Sequence, residues 1–146
     1  MKADAKTEKE VMVVWLKFLE AYAARDIDSL LATMSTDGSV VALGTGSDER
    51  RVGLDEIKAQ IERDWAQSEA AAVEMTWSQV SAAGTVAWTA SEGIFKAKIG
   101  GKNAYFPCRF SAVLQKQKDK WLIMQTHFSF IEAGQAEGES FPAGQS

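Results

Sequence analysis

The chain has 146 residues, which is enough for one domain with a substantial core and too few for two. The single cysteine, Cys108, excludes an intramolecular disulfide, and one cysteine with one histidine, His127, excludes a zinc site of the usual Cys/His kind. The net charge of −4 comes without a basic stripe along the chain, so we expect no nucleic-acid partner.

The first half of the chain contains patterns that predict two longer helices and one short helix. Thr7 and Glu10 have the spacing of a capping box, which predicts a helix start, and Asp26 is a candidate cap for a short second helix. A third helix is predicted after Gly53. The apolar stripe of the first helix consists of Val11, Val14, Trp15, Phe18, Leu19 and Tyr22, and that of the third consists of Leu54, Ile57, Ile61 and Trp65.

The second half of the chain has the alternation typical of strands. From residue 72 onward apolar and polar residues alternate, and turns at 83–84, 100–101 and 118–120 separate long strands. We expect Gly93 to mark a bulge at which its strand changes face. Because a run of helices is followed by a run of strands, the sequence predicts an α+β fold with the helices on one face of the sheet.

The ends of the chain differ in composition from its body. Residues 1–10 lack the apolar stretch of a signal peptide, and no run approaches the ~18 apolar residues of a membrane helix. We therefore predict a flexible segment over 1–6, a domain over 7–130, and an acidic tail over 131–146 that is disordered or loosely packed. No membrane association and a cytoplasmic location are the default expectations.

The last strand carries large apolar side chains on both of its predicted faces. Strict alternation places Gln125, His127 and Ser129 on one face together with Trp121 and Ile123, and Met124 and Phe128 on the other. Since both faces are apolar, both should be covered. We expect helices to cover the face with His127, and a second copy of the chain to cover the face with Met124 and Phe128, which predicts a homodimer.

A candidate small-molecule site follows from the face that carries His127. Arg109 and Ser111 lie in phase on the preceding strand, and a buried arginine needs a carboxylate partner, for which Glu92, Asp48 and Glu49 are candidates. Apolar walls would come from Trp15, Phe18, Tyr22, Trp65 and Trp88. An apolar pocket with a few convergent polar groups is the usual form of a ligand site. His127 is either a hydrogen-bonded structural residue or a general acid/base, and Arg109 either a structural ion-pair partner or an anion-binding group.

No cofactor is predicted. Gly44-Thr45-Gly46 is similar to a phosphate-binding loop only in its glycines, since it lacks the GxxxxGK[ST] pattern and no lysine follows at a helix start.

Several segments, taken in order, resemble those of a known family. They are Ala24-Arg25-Asp26-Ile27-Asp28-Ser29-Leu30, Gly44-Thr45-Gly46-Ser47-Asp48-Glu49, Arg51-Val52-Gly53-Leu54, Val86-Ala87-Trp88, Arg109, and Trp121 to Ser129. Over residues 7–130 the chain resembles the SnoaL-like domains of the nuclear-transport-factor-2-like superfamily. The resemblance implies three helices packed in the concave face of a strongly curved mixed or antiparallel sheet, a central cavity, and commonly a dimer.

The resemblance does not imply a single reaction. Aligned with ketosteroid isomerase, another member of that superfamily, Phe18 stands at the position of the catalytic tyrosine and Ala42 at that of the general-base aspartate. The third catalytic acid would fall near residues 109–111. All three are absent here, so we do not expect isomerase chemistry. Three functions remain open: binding of a small apolar, aromatic or carboxylate ligand; a lyase, isomerase or cyclase that uses His127 with Arg109; and an oligomerisation module.

Overall fold

The computed structural model describes residues 1–144 and has helices packed against one face of a six-stranded sheet. The elements follow the order α1 (Ala5–Ala24), α2 (Ile27–Leu31), β1 (Val41–Leu43), β2 (Arg50–Val52), α3 (Leu54–Ala66), β3 (Ala70–Ala83), β4 (Val86–Ile99), β5 (Lys102–Gln117) and β6 (Lys120–Phe130). The α+β class and the long strands of the second half are confirmed. Neither the 20-residue α1 nor any other helix within residues 1–144 has an apolar stretch that could cross a bilayer.

Helix α1 begins earlier than the capping-box pattern predicted. The Asp4 carboxylate accepts a hydrogen bond from the Thr7 backbone N–H at 2.7 Å, so Asp4 is the N-cap. Glu10, the expected second half of the box, instead accepts a hydrogen bond from Trp121 Nε1 at 3.0 Å. The predicted capping box was wrong because Asp4 caps the helix in place of Thr7, and because Glu10 binds Trp121 and not the helix start. The apolar stripe of α1 is buried as expected, and Trp15 within it is fully buried.

The sheet has the order β2-β1-β6-β5-β4-β3 and is mixed. Strand β1 pairs parallel with β6, while the other neighbours are antiparallel. Helix α1 crosses the inner face of β3 and β6, and α3 lies near β2 and β3. We call the face covered by the helices the inner face and the opposite one the outer face.

A bulge at Met124 reverses the alternation of β6. Leu114 pairs with Ile123, but its neighbour Val113 pairs with Gln125, so Met124 has no partner across the ladder. Trp121 and Ile123 are buried before the bulge, and Thr126 and Phe128 contact the inner side after it. The predicted face that joined Trp121 and Ile123 to Gln125, His127 and Ser129 is therefore wrong.

A second irregularity lies opposite Gly93 rather than at it. The register of β3 shifts between Met75 and Trp77, which pair with Gly93 and Glu92. Strand β4 keeps one phase throughout, with Ala87, Thr89, Ser91, Gly93 and Ala97 buried on the inner side. The expected change of face in β4 was wrong, and the glycine has another reason. A Cβ at Gly93 would overlap the carbonyl oxygen of Glu74 on β3.

The chain ends make different contacts. Residues 1–3, expected to be flexible, continue the edge of β3, where Ala3 N–H donates to Val80 O at 3.3 Å and Ala82 N–H donates to Met1 O at 3.0 Å. Residues 131–144 form exposed turns, with Ala143 N–H bound to Gly134 O at 2.9 Å. The remainder of the predicted tail, 145–146, lies outside the described residues.

Candidate functional site

A cavity of about 390 Å³ lies between the helices and the inner face of the sheet. Its walls are mostly apolar and come from α1, α3 and β1, from the beginnings of β3 and β5, from the end of β4, and from the part of β6 that follows the Met124 bulge. The aromatic part of the lining consists of Phe18, Tyr22, Phe95, Phe106, Phe128 and Phe130. Several of these rings contact one another: Phe106 stacks on Phe130 at 4.9 Å between centroids, and Tyr22 meets Phe95 edge to face at 6.2 Å.

One wall of the cavity carries a chain of polar side chains. The Tyr22 hydroxyl donates to Asp64 Oδ2 at 2.9 Å, and Gln60 Nε2 donates to Asp64 Oδ1 at 2.8 Å. Arg51 Nε in turn donates to Gln60 Oε1 at 3.0 Å. All four residues line the cavity. We call this set the polar relay: Tyr22, Asp64, Gln60 and Arg51.

The spacing of α3 explains how two polar residues reach the cavity. Ile57 and Ile61 anchor the helix in the core, and Gln60 and Asp64 sit one position before and three positions after Ile61. Residues three or four apart share a helix face, so the apolar pair carries the polar pair with it. Sequence reasoning missed Gln60 and Asp64, although two polar residues at the stripe spacing were a usable signal. It also missed Arg51.

The environment of Tyr22 affects its protonation. Burial raises the pKa of the Tyr22 hydroxyl well above its ordinary value, and the neighbouring Asp64 charge raises it further. The phenol therefore remains protonated and able to donate to Asp64 throughout the neutral range.

The loop between β1 and β2 lies beside the polar relay and forms ion pairs with arginines. Arg63 donates to Asp48 at 2.8 Å, and Arg51 lies 3.7 Å from the same carboxylate. The hydrogen bond from Arg63 lowers the pKa of Asp48 below its usual range. Glu49 accepts a hydrogen bond from the Gly46 backbone N–H and faces the cavity. The positive charge of Arg63 is thus matched within the loop.

Some predicted site residues do meet at this cavity. Phe18, Tyr22 and Glu49 line it. Trp65 lies behind the wall, where its Nε1 donates to Tyr22 O at 3.1 Å. Trp15 is fully buried in the core, stacked on Phe18 at 5.3 Å. Asp48 is exposed in the neighbouring loop. None of these last three is part of the cavity lining.

The remaining predicted site residues lie on the outer face of the sheet. His127, Arg109, Glu92, Ser111 and Ser129 line a shallow groove there together with Trp77, away from the cavity. Trp88 and Gln125 share that outer face, because they lie out of phase with the buried residues beside them. The bulge at Met124 produced this error, because Ser111 pairs with His127 and Arg109 pairs with Ser129 and Glu92, so the group follows β6 to the outer face.

The predictions made for Arg109, His127 and Phe128 can be compared with these positions. Glu92 is indeed the partner of Arg109, whose Nε donates to Glu92 Oε2 at 2.8 Å. The pair is not buried, however, since the side chains are 66% and 43% exposed. From its position on the outer face, His127 cannot transfer a proton inside the cavity. Phe128, expected at a dimer contact with Met124, lines the cavity instead.

The sequence of the chain matches a known protein family. The model of the SnoaL-like domain family matches residues 11–133. A comparison with curated proteins finds no match.

Among solved structures, a nuclear transport factor 2-like superfamily protein from Salmonella enterica serovar Typhimurium is 15% identical, with 93% of this chain and 99% of that chain covered and a TM-score of 0.81. A protein of the same kind, of unknown function, from Pseudomonas putida is 19% identical over 86% and 87% of the two chains, with a TM-score of 0.74.

A protein of unknown function with a cystatin-like fold from Nostoc punctiforme is 13% identical over 91% and 97%, with a TM-score of 0.73. At such identities the structures establish the fold, while the match over most of the chain establishes the family. The chain belongs to the SnoaL-like domain family, and its fold is that of nuclear-transport-factor-2-like proteins.

Proposed function

We propose that the protein binds a small, largely aromatic ligand in the cavity between its helices and sheet. The observation that supports this most is the cavity itself: about 390 Å³, walled by phenylalanines, with the polar relay as a convergent set of hydrogen-bonding groups. Ligand sites of proteins typically have such volumes and such a mixture of apolar walls and few polar groups.

Binding is favoured over isomerase chemistry by the residues at two positions. Phe18 and Ala42, which align with the catalytic tyrosine and aspartate of ketosteroid isomerase, both line the cavity. Neither side chain can take up or release a proton. The exposed position of His127 at the outer groove also favours binding over an enzyme mechanism that uses this residue as general acid/base in the cavity.

Ligand binding is testable with a panel of aromatic compounds, including alcohols, ketones and carboxylates. A compound that occupies the cavity raises the melting temperature, because it binds the folded state alone. Its affinity is then measured by titration calorimetry. Ala42→Leu should reduce that affinity at least tenfold by filling the cavity, since Ala42 is part of its wall.

Ala90→Leu is the matched control, because Ala90 is exposed on β4 and lies at the outer groove. It should leave the affinity unchanged. If no compound binds, or if the two variants weaken binding equally, the proposal is overturned.

We also propose that the outer face associates with a second copy of the chain. Trp77 is 48% exposed there, beside the exposed ion pair of Arg109 and Glu92. Two copies related by a two-fold axis can place each arginine against the partner's carboxylate and bury both tryptophans. In this proposal the dimer contact is formed by residues of the outer groove and not by Phe128.

The mass in solution tests this association. Light scattering at micromolar concentration should give a dimer for the wild type and a monomer for Trp77→Ser. Leu16→Ser removes a similarly exposed apolar side chain from α1 and should leave the dimer intact. A monomeric wild type would overturn the proposal.

A further inference from the structure

The polar relay fixes the direction of each of its hydrogen bonds from both ends. Arginine can only donate hydrogen bonds, and an ionised carboxylate can only accept them. Gln60 lies between Arg51 and Asp64, so its amide oxygen must face the arginine and its amide nitrogen must face the carboxylate. The orientation of the amide therefore follows from the chemistry of its two neighbours.

The same reasoning fixes the proton of Tyr22. Its hydroxyl has one donor hydrogen and two acceptor lone pairs, and its partner is the acceptor Asp64. The hydrogen is therefore directed at Asp64 Oδ2. Within residues 1–144, this is the one hydrogen bond of the hydroxyl. Its lone pairs are the capacity that remains for a ligand.

We infer that the cavity selects ligands carrying a neutral hydrogen-bond donor, a phenol or an aromatic alcohol, and that Tyr22 Oη accepts the bond from that donor. This rests on the proposed binding function and narrows its ligand class. A ketone or an ether offers only acceptors, which would face the lone pairs of Tyr22. A carboxylate at Tyr22 would in addition lie beside the charge of Asp64, whereas the nearest cation of the polar relay, Arg51, stands at its other end, separated from Tyr22 by Gln60 and Asp64.

The surroundings of Tyr22 provide a place for the aromatic part of such a ligand. The Tyr22 ring contacts Trp65 at 6.0 Å and Phe95 at 6.2 Å, while its hydroxyl is held by α3. Phe95, Phe128 and Phe130 supply apolar surface around the same cavity. An aromatic ring can pack on these side chains with its hydroxyl directed at Tyr22.

Three probes of the same ring system separate the possible ligand classes: 1-naphthol, 1-methoxynaphthalene and 1-naphthoate. Titration calorimetry of the wild type should give an affinity for 1-naphthol that is roughly 2- to 12-fold higher than for 1-methoxynaphthalene, the range expected for one neutral hydrogen bond. The carboxylate should bind more weakly than the naphthol.

Variants assign this preference to Tyr22. Tyr22→Phe removes the acceptor and keeps the ring, so the ratio of the two affinities should fall to about that of the rings alone. Tyr105→Phe is the matched control, because Tyr105, the other tyrosine of the chain, is 61% exposed and away from the cavity. It should retain the wild-type ratio.

A third variant tests the role of Asp64 as the group that orients the hydroxyl. In Asp64→Asn the amide can donate as well as accept, so the Tyr22 hydrogen is no longer confined to one direction. The ratio should fall toward that of Tyr22→Phe. Asp64 is thus a positioning residue, and a ratio unchanged in this variant contradicts that role.

The outcomes distinguish the two levels of the proposal. If 1-naphthol and 1-methoxynaphthalene both bind with equal affinity, or if Tyr22→Phe keeps the wild-type ratio, the inferred ligand class is wrong and the binding function stands. If 1-naphthoate binds best, the cavity selects anions and the inference is again overturned. If none of the three probes binds, the inferred class fails at its first step, and the panel of aromatic compounds decides the binding function separately.

Discussion

His127 and Phe128 are neighbours in the chain with opposite surroundings. His127 is exposed in the outer groove, while Phe128 packs on Phe110 at 5.0 Å and contacts Trp15 at 6.1 Å. The side chains of adjacent strand residues point to opposite faces, so if Phe128 points inward, His127 must point outward. A pair of substitutions can therefore report the phase of β6 directly.

His127→Ala should change the free energy of unfolding by no more than about 0.5 kcal/mol, as expected for an exposed position. Phe128→Ala should lower it by up to about 3 kcal/mol, because it removes a ring packed in the core. Urea unfolding followed by tryptophan fluorescence measures both. Equal losses, or a larger loss at His127, would contradict the orientation of β6.

Tyr22 also gives the stability a dependence on alkaline pH. Its pKa is raised in the folded state above the ordinary value of 10.0, mainly by burial. The stabilisation is complete below the pKa of the unfolded chain and is lost as pH rises above it, because the unfolded state releases the proton first. The free energy of unfolding should thus fall above about pH 10, by at most about 1.4 kcal/mol per pH unit from this group.

The measurement is urea unfolding at a series of alkaline pH values for the wild type and Tyr22→Phe. The variant lacks the group and should show a shallower decline. Identical slopes for the two proteins would mean that Tyr22 titrates alike in the folded and unfolded chains.

At the scale of elements, β3 and β4 approach closely where Gly93 faces Glu74. Gly93→Ala should lower the free energy of unfolding by about 1–3 kcal/mol, because the added methyl overlaps a backbone carbonyl that cannot move alone. Gly38→Ala is the control, since a Cβ at that turn meets nothing within 4 Å. It should be neutral or stabilising by a few tenths of a kcal/mol. Similar values for both would argue against the close approach.

Helix α3 shows how far an element could be read from its own residues. Its position and its apolar anchors Ile57 and Ile61 were predicted from periodicity and are confirmed. The functional value of Gln60 and Asp64 was not, because a polar residue on a helix face reads the same whether it meets solvent or a cavity wall. Gln60 and Asp64 belong to the polar relay only because the fold places Tyr22 of α1 and Arg51 of β2 beside them.

At the scale of the whole molecule, the described residues after Ala133 are exposed. The hydrogen bonds recorded for 134–144 join residues of the segment to one another or to Glu132. A chain that ends at Ala133 should therefore melt within a few degrees of the full chain, as measured by circular dichroism. A large drop in melting temperature would show that the segment stabilises the domain through contacts the structure does not contain.

The sequence by itself determined the α+β class, the three helices followed by long strands, and the apolar stripes of α1 and α3, and it named Glu92 as one of three candidate partners of Arg109. These depend on residues a few positions apart or on charge, which a linear pattern contains. The tertiary structure alone decided which face of β6 turns inward. The single unpaired residue Met124 inverts the alternation, and with large apolar groups on both faces no pattern marks that point. Because that inversion moves His127 outward and Phe128 inward, it also decided which residues form the site.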